Sequence, residues 1–174
     1  LLTALAIRDV VLIERLDLSF GSGLTVLTGE TGAGKSILLD SLGLALGARA
    51  DAGLVRAGAG QASVTACFAP PPGHPAQALL QAQGLETEDE IVLRRTVGRD
   101  GRSRAFINDQ PVGVALLRRT GALLVEVQGQ HEQFGLAEAA SHAGLLDAFG
   151  VPEALGIAVR DAWRHWRETL AALD

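Results

Sequence analysis

The run Gly29-Glu30-Thr31-Gly32-Ala33-Gly34-Lys35-Ser36 fits the pattern G-x-x-x-x-G-K-S, and it constrains the fold because it works only between a strand and a helix. Glycines let the backbone turn tightly, so that successive N–H groups and the N-terminus of the following helix point at phosphate oxygens. Lys35 is the only lysine; the other fourteen basic side chains are arginines. A flexible ammonium reaches the β- and γ-phosphates as a point charge, where a planar guanidinium is too bulky. Residues 24–28 read as a buried strand entering the loop, and residues 37–46 as an apolar helix leaving it. The run from Gly29 to Ile37 is therefore expected to bind a nucleoside triphosphate, with the Ser36 hydroxyl on magnesium.

Composition narrows the class. With 174 residues, 48% of them apolar, one domain with a substantial core is expected. The lone Cys67 excludes an internal disulfide and suits a reducing cytoplasm. No run approaches the roughly 18 apolar residues of a membrane span. A net charge of −5 argues against a uniformly basic nucleic-acid binder, while leaving room for a local basic patch. Methionine is absent even at position 1, and the chain stops within a helical pattern. It is accordingly expected to be a piece of a longer protein.

Two strands, 5–11 and 16–20, are expected ahead of the loop. Such a hairpin favours an ATP-binding-cassette arrangement over a small nucleotide kinase, which usually begins with the loop strand itself. Further strands are expected at 61–69, 90–97, 104–108 and 123–127, and short helices at 76–83 and 112–119. From Glu153 onward Leu155, Val159, Ala162, Trp166 and Leu173 fall near a three-four spacing, as in an amphipathic helix or a coiled coil. The expected division is 1–150 for the nucleotide-binding part and 151–174 for this helix.

A P-loop ATPase also needs an apolar strand that ends in an acid, to hold magnesium and orient water. Glu126 is the nearest candidate, but Val127 follows it and it reads better as the exposed side of a strand. No Ser-Gly-Gly signature loop is present either. Either the acid comes from a segment outside this chain, or the chain only binds nucleotide.

Three runs, Gly29 to Asp40, Gly101-Arg102-Ser103-Arg104-Ala105-Phe106-Ile107-Asn108 and Gly129-Gln130-His131-Glu132, together resemble the RecN family of bacterial DNA-repair proteins. That family is related to the structural-maintenance-of-chromosomes (SMC) ATPases. The resemblance implies an α/β P-loop fold: the N-terminal lobe of an ABC/SMC-type ATPase head, followed by the start of an antiparallel coiled coil. It implies ATP and Mg2+ as cofactors, a C-terminal lobe that carries the missing acid and signature loop, and a second head in an ATP sandwich. It also implies DNA as a partner, a cytoplasmic, nucleoid-associated location, and ATPase activity for the full-length protein but not for this stretch alone. Gln128 resembles the glutamine that binds magnesium and senses the γ-phosphate, with Gln130 as its rival. Arg56 resembles an arginine pointed at ATP phosphates, and Arg8 lies where the adenine could be approached.

Arg94, Arg95, Arg99, Arg102 and Arg104 fall on one expected hairpin. They are either a DNA-backbone patch or a solvated hairpin guarding a sheet edge. No aromatic residue interleaves with them, which argues against base stacking. The four histidines do not form a zinc pattern. The competing functional readings are a self-contained P-loop phosphotransferase, in which Glu126 supplies the acid, and a transporter-type cassette fragment. A third is a nucleotide-sensing scaffold without turnover.

Overall fold

Strict alternation along the strands decides which side of the sheet becomes the core. The computed structural model describes residues 1–29, 34–86, 89–127, 146–147 and 149–172. It falls into two units, Leu1–Val127 and Gln128–Asp174. In the first unit six strands form one antiparallel sheet in the order β2-β1-β3-β4-β5-β6: β1 Leu2–Val10, β2 Ile13–Ser19, β3 Gln61–Phe68, β4 Ile91–Gly98, β5 Ser103–Ile107 and β6 Gln110–Val112. Ala62, Val64, Ala66 and Phe68 of β3 are buried, whereas Ser63, Thr65 and Cys67 between them are not. Ile91, Leu93, Arg95 and Val97 of β4 are buried in the same rhythm.

Helix α1, Lys35–Ala45, packs on β1, β3 and β4, and α3, Val114–Leu124, packs on β5 and against α2, Pro75–Gln81. The core they close includes Ile7, Leu44, Val64, Phe68, Leu80, Leu93, Ile107 and Leu117. His74 caps α2, its Nδ1 accepting from the Ala76 N–H at 3.2 Å, which accounts for one of the scattered histidines. In the second unit α4 runs Glu153–Ala171.

Two expected strands are not there. Residues 24–28 have no ladder partner and are exposed, Leu24 by 93% and Val26 by 69%. A buried strand needs neighbours on both edges and cover on both faces. All six described strands are committed to the antiparallel sheet, so nothing among the described residues supplies them. Residues 123–127 also differ. Helix α3 continues through Leu124, because Leu117, Thr120 and Gly121 hold its buried face at helical spacing. Val125 then turns extended (φ −154°). The third difference is an addition: β6 occupies Gln110–Val112, so the helix expected from residue 112 begins at Val114. As an edge strand β6 tolerates Pro111, which lacks a donor.

Asn108 explains why β5 and β6 pair at all. With Asp109 it forms the two-residue turn, both at positive φ (48° and 62°), a conformation that Asn and Asp tolerate better than most residues. Its Oδ1 accepts from the Val92 N–H at 2.8 Å, and its Nδ2 donates to the Glu86 carbonyl at 3.0 Å. One side chain thus ties the turn to the start of β4 and to the loop before it. Asn108→Ala should lower unfolding stability by about 1–3 kcal/mol, by orphaning the Val92 N–H and leaving an alanine at positive φ. Urea midpoints of the two proteins test this.

Candidate nucleotide-binding site

Gly29, Gly34, Lys35, Ser36 and Ile37 are described, while Glu30, Thr31, Gly32 and Ala33 lie outside the described residues. Gly34 caps α1 in the left-handed region (φ 87°), where a side chain would be strained. Gly34 has no side chain with which to cap this N-terminus, and the first turn of the helix contains no acid. The positive pole of α1 at this end is the kind of site that stabilises an anion. Lys35, the first helical residue, donates its Nζ to the Gly29 carbonyl, so the ammonium reaches back across the loop to where it begins. Ser36 is exposed on the same turn. This donor set, a helix start with an ammonium and a hydroxyl beside it, fits a nucleotide's phosphates and their magnesium ion.

The other expected contributors are only partly brought to this loop. Gln128, Gln130, His131 and Glu132 lie outside the described residues, as does Leu173 of the helical stripe. Glu126 is exposed after α3 rather than at the end of a strand. The Arg56 backbone N–H donates to the Asp9 carbonyl at 2.9 Å, and its guanidinium pairs with Glu14 at 3.1 Å. Arg8 is occupied within the sheet: it donates to the carbonyls of Ile7 (2.9 Å) and Leu16 (3.1 Å) and to the Asp17 carboxylate (2.5 Å). That hydrogen bond, and then the one from Arg15, hold the Asp17 carboxyl below its usual range. Arg8 therefore clamps the β1–β2 pair.

The five arginines of the hairpin divide by face. Arg95 points into the core and is 3% exposed; its Nη2 donates to Ser103 Oγ at 2.8 Å, while Nε and Nη1 find no acceptor among the described residues. Burial, and after it the Arg118 charge, lower its pKa, yet a guanidinium stays charged at neutral pH. Arg95 is therefore unavailable to DNA. Arg94 lies on the opposite face, pairs with Asp109 at 2.8 Å and stacks over Phe106, 4.4 Å from the ring centroid. An aromatic does interleave with the arginines, through pairing of Arg94 with Phe106 across β4 and β5. Arg102 pairs with Asp100 at 3.5 Å near the tip, the Arg99 N–H donates to the Gly60 carbonyl at 3.2 Å, and Arg104 is exposed.

On the face away from the helices, ladder register brings Arg15, Arg8, Ser63, Thr96 and Arg104 into one row across five strands. The neighbouring row is Asp17, Ala6, Thr65, Arg94, Phe106 and Pro111. Cys67 lies on this face too, half-buried rather than in the core, with its pKa raised by burial and then by Glu90, so the thiol stays protonated. Among the described residues no three His, Cys, Asp or Glu side chains gather as a metal-binding group, and no helix is long and apolar enough to cross a membrane.

Helix α4 exposes Val159, Trp163, Trp166 and Leu170, a four-three-four spacing, with the two indole rings 4.9 Å apart. Leu155 and Ala162 of the expected stripe are exposed on the same helix. Arg95 could have been found by noticing that it shares the odd positions of β4 with Leu93 and Val97. Because its burial leaves two donors unsatisfied among the described residues, Arg95→Met should keep or raise the thermal midpoint, whereas Arg104→Met on the open face should leave it unchanged. Thermal unfolding of both variants tests the assignment of faces.

The AAA domain family matches residues 4–103. The DNA repair protein RecN of Xylella fastidiosa is 41% identical over 174 residues, covering 100% of this chain and 31% of that protein. RecN of Halalkalibacterium halodurans is 46% identical over 153 residues, 87% of this chain and 27% of its own length. RecN of Bacillus subtilis is 40% identical over 169 residues, 97% of this chain and 28% of its own. The chain thus spans less than a third of the length of these relatives. Among solved structures, the Smc head domain with a coiled coil and joint from Pyrococcus yayanosii aligns with TM-score 0.63 and 23% identity over 99% of this chain and 37% of that one. An SMC ATPase solved in a study of ATP-driven dimerization and DNA-stimulated activation aligns with TM-score 0.60 and 24% identity, over 86% of this chain and 99% of that one. These likenesses establish an SMC-type head fold. With the AAA domain matched over residues 4–103 and RecN proteins aligned along its length, the chain belongs to the RecN family of AAA-domain proteins.

Proposed function

We propose that this chain is the N-terminal lobe of an SMC-like ATPase head, which binds ATP and Mg2+ and hydrolyses ATP once joined to a C-terminal lobe. The observation that carries this reading is the start of α1 behind the left-handed Gly34, with Lys35 and Ser36 on its acid-free first turn and Lys35 reaching back to Gly29. Lys35 would exchange the Gly29 carbonyl for β/γ-phosphate oxygens, Ser36 with Gln128 (or Gln130) would hold magnesium, and Arg56 would offset charge that develops during phosphoryl transfer. Bound magnesium would neutralise charge on the phosphates.

Uncovered apolar surface supports the need for a second lobe. Leu24, Val26 and Leu27 before the loop, Leu39 on α1 and Leu123 on α3 are all exposed. Segments this apolar are stable when covered, and a C-terminal lobe of the same polypeptide is the cover proposed. The stripe on α4 is, in the same reading, the root of an antiparallel coiled coil. Head dimerisation across ATP would then act in double-strand-break repair and recombination, in the cytoplasm at the nucleoid. DNA contact falls to the open sheet face, where Arg104, Arg94 and Arg15 stand with Ser63, Thr65 and Thr96, rather than to the buried Arg95.

Lys35→Ala should weaken ATP binding roughly tenfold or more while leaving the unfolding midpoint unchanged. The unaltered chain alone should bind a fluorescent ATP analogue without steady turnover. Unchanged affinity in the variant would remove the loop assignment; turnover abolished by Glu126→Gln would show a self-contained enzyme instead. For the sheet face, Arg104→Glu should weaken DNA binding several-fold at low salt and lessen its salt dependence, measured by anisotropy.

A further inference from the structure

The loop after α1 is fastened to the turn between β1 and β2. The Val11 N–H donates to the Leu54 carbonyl at 2.9 Å, the Arg56 N–H to the Asp9 carbonyl at 2.9 Å, and Val10 bridges to Val55. Val55 is buried. The backbone of Arg56 is therefore fixed to the sheet, and its side chain moves about an anchored Cα.

What the guanidinium touches is set by register. Arg8 pairs with Arg15 and Val10 with Ile13, so Glu14 stands opposite Asp9, the residue whose carbonyl holds the Arg56 backbone. From there Glu14 Oε2 reaches Arg56 Nη2 at 3.1 Å, with the carboxylate side chain 73% exposed and the arginine side chain 37% exposed. A carboxylate offers a guanidinium the same paired oxygens as a phosphate, with less charge. Chain reach permits the exchange. After β2 the backbone bends at Ser22 and Gly23, and the six residues from Leu24 to Gly29 span up to roughly 20 Å. That is nearly the length of β2, enough to return the phosphate loop to the turn end of the sheet.

We infer that Glu14 is a positioning residue for the nucleotide site: it parks Arg56 before nucleotide binds and releases it to the phosphates afterwards. This rests on the reading of Arg56 as a phosphate-facing residue given above. The parked pair is solvent-exposed, so breaking it lowers affinity only about one-and-a-half- to fivefold, small enough for a phosphate to overcome. The pair thus keeps an anchored cation oriented without preventing its transfer.

The test is a double-mutant cycle on the 174-residue chain, reading equilibrium binding of Mg-ATP and of adenosine. Glu14→Gln should tighten ATP binding about two- to fivefold and leave adenosine binding unchanged. Arg56→Gln should weaken ATP binding, and the double variant should match Arg56→Gln. If Arg56→Gln weakens ATP but Glu14→Gln has no effect, or has the same effect with and without Arg56, the parking role is overturned and the reading of Arg56 survives. If Arg56→Gln leaves ATP affinity unchanged, the phosphate-facing reading fails and the parking role fails with it. Matching thermal midpoints for the four proteins guard against a folding artefact.

Discussion

One-sided burial of an antiparallel sheet is the constraint on which the first unit depends. The alternation of Ala62, Val64, Ala66 and Phe68 with Ser63, Thr65 and Cys67 turns one face inward. The ladder carries that choice to β1 and β4, because each inward residue must sit opposite another. Helix α1 seals the inward face and, in doing so, fixes where its own first residue, Lys35, stands. The core and the phosphate loop are therefore one arrangement: packing that holds Leu42, Leu44 and Ala45 against the strands also aims the helix N-terminus.

The same constraint exposes what one sheet cannot supply. Helix α1 carries leucines around its circumference, and the antiparallel sheet covers one side, leaving Leu39 outward. A helix apolar all round belongs between two layers. Leu24, Val26 and Leu27 show the same unfilled requirement. Local sequence describes their need for burial correctly, and the neighbours that meet it are not among the described strands. The expected strand at 24–28 thus failed for a non-local reason, whereas strands at 61–69 and 90–97 succeeded because their alternation is self-contained.

The site was legible to a similar degree. Gly34, Lys35 and Ser36 follow from a motif whose chemistry is local, and they stand at the helix start as expected. The arginine hairpin was legible as a cluster but not as a surface. Strand periodicity sends Arg94 and Arg95 to opposite faces, and a count of charges along the chain hides this. Phe106 was hidden similarly, since it meets Arg94 only through cross-strand pairing. Arg8 and Glu14 could not be placed before the β1–β2 register was known, because a one-residue slip would move both to other partners.

Charge on the sheet is arranged largely in pairs. The chain is acidic overall, at −5, yet most arginines at the sheet have a dedicated carboxylate: Arg8 and Arg15 share Asp17, Arg56 has Glu14, Arg94 has Asp109 and Arg102 has Asp100. These are surface pairs, individually weak. Their consequence is less stability than readiness: a guanidinium held by a solvent-exposed carboxylate is pre-oriented, and its release to a more highly charged phosphate costs little. Arg95 marks the contrast, being buried, without a carboxylate partner among the described residues, and committed to the interior through Ser103. Partner type thus separates Arg56 and Arg94, each held by an exposed carboxylate, from Arg95, held in the interior, and from Arg8, which is tied to two backbone carbonyls as well as to Asp17.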